Sequence, residues 1–84
     1  MDLISRQGSQ WVFVEVRTHR GRRFGTPEES VTPAKQARLI ACAEHYLDEH
    51  NLRAVPWHID VMAIEMTPEG KLLRTEQLED AIGR

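Results

Sequence analysis

The chain has 84 residues and a formal net charge of −2, and its length is that of one small domain over residues 1–84. Its single cysteine excludes an internal disulfide. It has no signal-peptide apolar stretch and no run of about 18 to 20 apolar residues that spans a membrane, so we expect a cytoplasmic protein without membrane contact. The net charge also argues against a protein coated in positive charge for nonspecific nucleic-acid binding.

The first predicted elements are two strands, over residues 2 to 6 and 11 to 17, joined by a tight turn. Both stretches are rich in aliphatic and aromatic residues. Glycine at the first central position of the Gly8–Ser9 turn suits a type II′ hairpin. In the register that this turn imposes, Asp2 faces Glu15 directly across the two strands.

A loop and then a helix are predicted next. Residues 18 to 31 contain glycine, proline and many charges without a sustained period, which is typical of a loop. Thr32 as N-cap and proline at the first helical position begin a helix that should run from Pro33 to Glu49. Asn51 is its expected stop, and the thiol of Cys42 is expected to be buried. The apolar stripe of this helix comprises Leu39, Ile40, Ala43, Tyr46 and Leu47.

Two further strands follow the helix. Residues 58 to 64 are apolar enough for a largely buried strand, and residues 71 to 78 are expected to pair back as an edge strand after the Thr67–Gly70 turn. The order is therefore ββαββ. A right-handed crossover through the helix sets the second and third strands parallel, which predicts an α/β domain with one mixed sheet and one main helix over about 33–49.

The candidate chemistry lies on one face of the first hairpin. Carboxylates directly opposite on neighbouring strands have Cβ atoms about 5 Å apart, which is destabilising when both are ionised. With Asp2 and Glu15 as its ligands, a Mg²⁺ or Mn²⁺ ion would compensate the repulsion between the two carboxylates. Arg17, on the same face, would hold a water molecule or a phosphate oxygen. The alternative is a solvated strand face with a weak salt bridge, next to an Asp2 that frays.

Basic residues beyond this hairpin face form a candidate nucleic-acid contact. The residues concerned are Arg17, His19, Arg20, Arg22 and Arg23, with Lys35 and Arg38 at the helix start as an extension. Exposed charged loops and helix faces commonly have no such role, and solvation explains these residues as well. Both interpretations stay open.

Three other groups of residues have simpler explanations than a ligand site. Asp60, in an apolar strand, is a candidate third acidic residue, but a buried aspartate hydrogen-bonded to a loop amide or paired with a basic residue is favoured. Trp11 and Trp57 are expected to pack in a core or subunit interface rather than stack on bases. The four histidines and the cysteine lack zinc-site spacing, so we predict no zinc.

Five segments, in this order and spacing, resemble the YraN-like family of bacterial proteins. They are Asp2-Leu3-Ile4, Trp11-Val12-Phe13-Val14-Glu15-Val16-Arg17-Thr18, Arg23-Phe24-Gly25, Val31-Thr32-Pro33-Ala34-Lys35-Gln36-Ala37-Arg38-Leu39 and Ile59-Asp60-Val61. The resemblance implies a restriction-endonuclease-like fold of the PD-(D/E)XK type, with Mg²⁺ held by an aspartate and by the acidic residue of an E-x-K motif. Asp2 and Glu15 match the acidic positions, and Arg17 stands where the family usually has lysine.

The resemblance implies a metal-dependent endonuclease that hydrolyses phosphodiester bonds in DNA, with Asp2, Glu15 and Arg17 as catalytic residues. Arginine stays charged, so Arg17 would stabilise the transition state and not act as a base. Family members carry a helix and a strand before the aspartate, so we expect either a reading frame that begins upstream or a homodimer that replaces the missing packing of a truncated domain. The alternative function is a noncatalytic nucleic-acid-binding or protein-interaction module.

Overall fold

A four-stranded mixed sheet carries one α-helix in the computed structural model, which describes residues 1–21 and 25–82. The elements are β1 (Leu3–Gln7), β2 (Gln10–Arg20), a short 3-10 helix (Glu28–Ser30), α1 (Pro33–Glu49), β3 (Trp57–Met66) and β4 (Leu72–Leu78). The strands lie in the order β1-β2-β3-β4, with β2 and β3 parallel and the two outer pairs antiparallel. This confirms the predicted ββαββ order and the mixed α/β sheet.

The first hairpin has the predicted register. Its pairing runs from Gln7 opposite Gln10 to Leu3 opposite Val14. Gly8 has a φ of 64°, in the left-handed region, as the first central residue of a type II′ turn requires. The register therefore brings the residue before β1, Asp2, next to Glu15.

The prediction that residues 18 to 31 form a loop is wrong at both ends. β2 continues to Arg20, which pairs with Met66 of β3, and the N–H of Gly21 donates to the Met66 carbonyl at 2.7 Å. Pairing with a parallel neighbour satisfies the backbone of this polar stretch, so tertiary context overrides its low strand propensity. The 3-10 helix at Glu28–Ser30 forms within the remaining segment.

Helix α1 begins and ends as predicted. The hydroxyl of Thr32 accepts the N–H of Lys35 at 3.3 Å, and proline follows at the first helical position. At the other end Asn51 has a φ of 56°, and its N–H donates to the Asp48 carbonyl at 3.2 Å. The N–H of Leu52 donates to the carbonyl of the helical residue five before it at 2.7 Å, which completes a Schellman motif.

The core lies between α1 and one face of the sheet. The predicted stripe supplies Leu39, Ala43 and Leu47, all buried, against residues of the two central strands that include Phe13, Ile59 and Val61. The burial predicted for Cys42 is wrong, because its side chain is exposed. Successive helical residues are rotated by about 100° about the helix axis, so Cys42, next to the buried Ala43, points away from the sheet.

The segment after β4 folds back along β3, which the sequence patterns did not predict. The N–H of Ala81 donates to the Ile59 carbonyl at 3.0 Å, and Ile82 is 1% exposed within the core cluster.

Among the described residues, none of the helices has the length and apolar character needed to cross a membrane.

Candidate functional site

Asp2 is fixed to β2 on either side of Glu15. Its N–H donates to the Val14 carbonyl at 3.2 Å, and its Oδ2 accepts the N–H of Val16 at 2.8 Å. These two hydrogen bonds hold an otherwise exposed residue beside the Glu15 side chain. The alternative in which Asp2 frays at the terminus does not describe this arrangement.

The two carboxyl groups have opposite pKa shifts. The N–H of Val16 is the main cause that lowers the pKa of Asp2. Burial, and then a hydrogen bond to Asp2 and the charge of Asp2, raise the pKa of Glu15. Glu15 is therefore the group of this pair that retains its proton to higher pH.

Arg17 forms an ion pair with the more buried carboxylate. Its Nη2 lies 2.8 Å from Oε2 of Glu15, and the two side chains are 25% and 12% exposed. A solvated strand face with a weak salt bridge does not describe a glutamate with so little exposure. The Nε atom of Arg17 is buried and has no hydrogen-bond partner among the described residues.

The pair offers a small donor set for a divalent cation. Across residues 1–21 and 25–82, no group of three or more His, Cys, Asp and Glu side chains is arranged to hold a metal ion. Mg²⁺, however, is commonly bound through one or two carboxylates while it keeps several waters. Because the charge of Asp2 helps to raise the pKa of Glu15, a cation bound between the two carboxylates would offset their repulsion when both are ionised, and the donors present fit such an ion.

The remaining predicted basic residues are dispersed. The Nδ1 atom of His19 lies 3.3 Å from the Gly25 carbonyl oxygen, on the strand face that it shares with Glu15. Strand alternation places Arg20 on the opposite face, and Lys35 lies half-buried at the start of α1. Arg22 and Arg23 lie outside the described residues. Among the described basic residues, Arg17 alone forms an ion pair with the carboxylate pair.

Asp60 has the structural role favoured by its sequence context. Its carboxylate accepts the Asp80 N–H at 2.9 Å and the Gln77 side-chain amide at 2.7 Å, and it lies 3.0 Å from Nε2 of His58. Glu15 pairs with the next residue of β3, so alternation places Asp60 on the other face of the sheet. Asp60 therefore anchors the chain after β4 and is not a third ligand.

The tryptophans pack as predicted. The ring centroid of Trp57 lies 5.8 Å from that of Phe13 in an edge-to-face contact. The ring centroid of Trp11 lies 6.1 Å from that of Tyr46. Both rings extend the core, as expected for aromatic pairs.

One ionic cluster escaped the sequence analysis. Arg74 donates to Glu65, Glu28 and Glu76 at 2.6, 2.7 and 2.7 Å. These contacts raise the pKa of Arg74, and the hydrogen bond from Arg74 lowers the pKa of Glu28. The opposite charges of Glu65 and Arg74 across the β3–β4 hairpin were the available signal, once the Thr67–Gly70 turn had set the register.

Comparison with known proteins places this chain in a family. The model of the uncharacterised protein family UPF0102 matches residues 1–64. A UPF0102 protein of Symbiobacterium thermophilum is 49% identical over 72 residues, which is 86% of this chain and 61% of that protein. UPF0102 proteins of Dehalococcoides mccartyi and Roseiflexus castenholzii are 40% and 42% identical, over 99% and 98% of this chain and 67% of each relative. The chain thus spans about two thirds of the length of these relatives. No solved structure matches it significantly.

Proposed function

The chain belongs to the uncharacterised protein family UPF0102, and we propose that Asp2 and Glu15 form the cation site of a phosphodiester hydrolase that acts on DNA. Family membership confirms the YraN-like resemblance drawn from the sequence. The PD-(D/E)XK relationship, the metal and the substrate are parts of the proposal. The observation that supports it best is the pair of carboxyl groups held together with opposite pKa shifts beside a half-buried arginine.

In this proposal each residue has a distinct task. Asp2, kept ionised by the Val16 N–H, supplies one oxygen ligand, and Glu15 supplies another once its proton has left. A bound Mg²⁺ or Mn²⁺ would supply Lewis-acid polarisation of the phosphodiester. Arg17, whose side chain is 25% exposed, would orient a phosphate oxygen through its guanidinium and stabilise the negative charge that develops there.

A second function, phosphate binding without catalysis, is favoured by a different observation. Arg17 is held by its ion pair with Glu15, and its side chain, 25% exposed, can donate to a phosphate oxygen whether or not a metal is bound. Such a module would bind nucleic acid through Arg17 and would need no cation at Asp2 and Glu15. Its DNA affinity would fall with salt and would be insensitive to EDTA.

Calorimetric titration with Mn²⁺ tests the metal site without knowledge of the substrate. We expect saturable binding to the wild type that is lost in Asp2→Asn and in Glu15→Gln. At a pH where Glu15 holds its proton, binding should also release a proton, so the observed enthalpy should vary with the ionisation enthalpy of the buffer. The matched control is Glu44→Gln, because Glu44 is an exposed helix residue outside the site.

Metal binding that is absent from the wild type, or that survives in Glu15→Gln, would overturn the metal-site proposal. A positive result would be followed by assays of branched, single-stranded and duplex DNA with Mg²⁺ or Mn²⁺. Cleavage that stops with EDTA and in both carboxylate variants supports the hydrolase. Salt-sensitive binding that persists in EDTA, without cleavage, supports the binding module.

A further inference from the structure

His19 follows Glu15 and Arg17 on the strand face that carries the candidate site. The three residues alternate along β2, so Arg17 and His19 lie about 6.6 Å apart along the strand. Nδ1 of His19 lies 3.3 Å from the Gly25 carbonyl oxygen, which can only accept a hydrogen bond. Nδ1 therefore carries a proton in this contact, and Nε2 is the ring nitrogen that can meet a ligand.

The Gly25 carbonyl belongs to a segment that Arg74 ties to the sheet. Three residues after Gly25, Oε1 of Glu28 accepts a hydrogen bond from Nη2 of Arg74 at 2.7 Å. Pro27, between these two contacts, is buried. Arg74, on β4, thus fixes the segment whose carbonyl oxygen holds the ring of His19 on β2.

Arg74 also pairs with the carboxylate that lies beside His19 in the sheet. Glu65 of β3 is the register partner of His19, and Arg74 is the register partner of Glu65. Nε of Arg74 lies 2.6 Å from Oε2 of Glu65, so its positive charge offsets part of the repulsion that an anion at His19 would meet. The charged groups of the described residues on the elements around His19 are Arg17 on β2, Glu65 on β3, Arg74 and Glu76 on β4, and Glu28 and Glu29 on the 3-10 helix.

We propose that His19, positioned by Arg74, is a second phosphate contact beside Arg17, and that the site takes a nucleic-acid strand with consecutive phosphates. This rests on the phosphate contact proposed for Arg17 and needs no metal. The spacing of Arg17 and His19 is close to that of neighbouring phosphates in an extended strand. The protonated ring donates from Nε2 to one phosphate while the guanidinium donates to the next.

Two small ligands test the second contact, in EDTA and at about pH 6, where histidine is commonly protonated. They are thymidine 5′-monophosphate and the 5′-phosphorylated dinucleotide pTpT. The wild type should bind pTpT about tenfold more tightly, as one added hydrogen bond between charged groups implies. His19→Asn keeps only a donor in the place of Nδ1 and should lose this advantage, whereas His19→Gln keeps a donor in the place of Nε2 and should retain most of it.

The positioning role of Arg74 is tested on the ring of His19 itself. At a pH where His19 is neutral, ¹⁵N chemical shifts should show the proton on Nδ1 in the wild type and a shift of that proton towards Nε2 in Glu28→Ala. Glu76→Ala is the matched control, because Glu76 also pairs with Arg74, at 2.7 Å, but lies outside the tied segment. The control should keep the wild-type tautomer and the preference for pTpT.

Several results would overturn the proposal. Absence of pTpT binding, equal affinity of the wild type for both ligands, or an advantage of pTpT that survives in His19→Asn would refute the second phosphate contact. An unchanged tautomer in Glu28→Ala, or an equal change in Glu76→Ala, would refute the positioning by Arg74. His19→Asn keeps both candidate metal ligands, so a failed Mn²⁺ titration with an intact preference for pTpT would refute the hydrolase and leave this contact standing.

Discussion

The backbone N–H of Val16 donates to Oδ2 of Asp2 at 2.8 Å, across the two strands and one residue beyond Glu15. Through this bond the conformation of β2 favours ionisation of Asp2 at a lower pH than Glu15. Asp2 receives a donor that favours its ionised form. Glu15, more buried and without such a donor, is the group whose pKa rises.

Replacement of Asp2 by asparagine should lower the pKa of Glu15. The variant removes the charge of Asp2 and its acceptance of the Glu15 proton, both of which raise that pKa, while burial and Arg17 remain. A ¹³C-detected titration of the Glu15 side-chain carboxyl measures the change. Asp48→Asn, on the exposed end of α1, is the control and should leave the Glu15 titration where it is. An equal pKa for Glu15 in the wild type and Asp2→Asn would show that burial alone raises it.

The raised pKa of Glu15 should appear in the pH dependence of stability. A group whose pKa is higher in the folded state contributes stability that is fully present below its unfolded pKa, near the ordinary value of 4.5, and is lost as the pH rises through the folded pKa. In Glu15→Gln this loss is absent, and the amide can still donate to Asp2. The wild type should therefore lose stability relative to Glu15→Gln as the pH rises above about 4.5, until Glu15 is ionised.

Urea unfolding at a series of pH values gives the two curves for this comparison. The stability that Asp2 contributes depends on pH in the opposite direction. Because the pKa of Asp2 is lowered in the folded state, this contribution is lost as the pH falls below the ordinary value of 3.8. Its effect therefore lies on the acid side of the window that reports on Glu15. A wild type and a Glu15→Gln variant whose free energies of unfolding stay parallel from pH 4 to pH 8 would contradict the raised pKa.

Local patterns were sufficient to predict much of the fold. The Gly8–Ser9 turn sets the hairpin register, and Thr32, with proline after it, sets the start of α1. These features depend on residues next to each other in the chain. The contact between Asp2 and Glu15 could be predicted for the same reason, because a two-residue turn leaves one register for the strands that it joins.

What could not be predicted depends on distant partners. β2 reaches Arg20 because β3 pairs with it there, and β3 lies more than 35 residues further along the chain. Ile82 returns to the core after a turn at which the Asp60 carboxylate accepts the Asp80 N–H. Neither contact leaves a periodic signal in the sequence around it. The pKa difference between Asp2 and Glu15 likewise follows from burial and from one backbone donor, and not from spacing.

Removal of the Arg74 guanidinium should destabilise the chain more than removal of an arginine from an exposed pair. Arg74→Met leaves the carboxylate of Glu65, 3% exposed, without its ion pair to Arg74. Arg53→Met is the control, since the side chains of Arg53 and Asp48 are 79% and 50% exposed. Because a buried carboxylate that loses an ion pair is destabilising, Glu65→Gln in the Arg74→Met background should recover part of the lost stability. Equal losses in Arg74→Met and Arg53→Met, measured by thermal unfolding, would argue against this account.

Asp60→Ala should lower the free energy of unfolding by about 3 kcal/mol, because a hydrogen bond to a charged group contributes roughly 1.5–3 kcal/mol and two part-buried donors lose theirs. The donors concerned are the Asp80 N–H and the Gln77 side-chain amide. Asp60→Asn keeps one acceptor oxygen and should lose less. The damage should begin in the segment after β4, so the amide of Ala81, which donates to the Ile59 carbonyl, should exchange faster in Asp60→Ala relative to the amides of α1. Uniform acceleration of exchange, with no excess at Ala81, would mean that Asp60 supports the whole sheet and not this segment in particular.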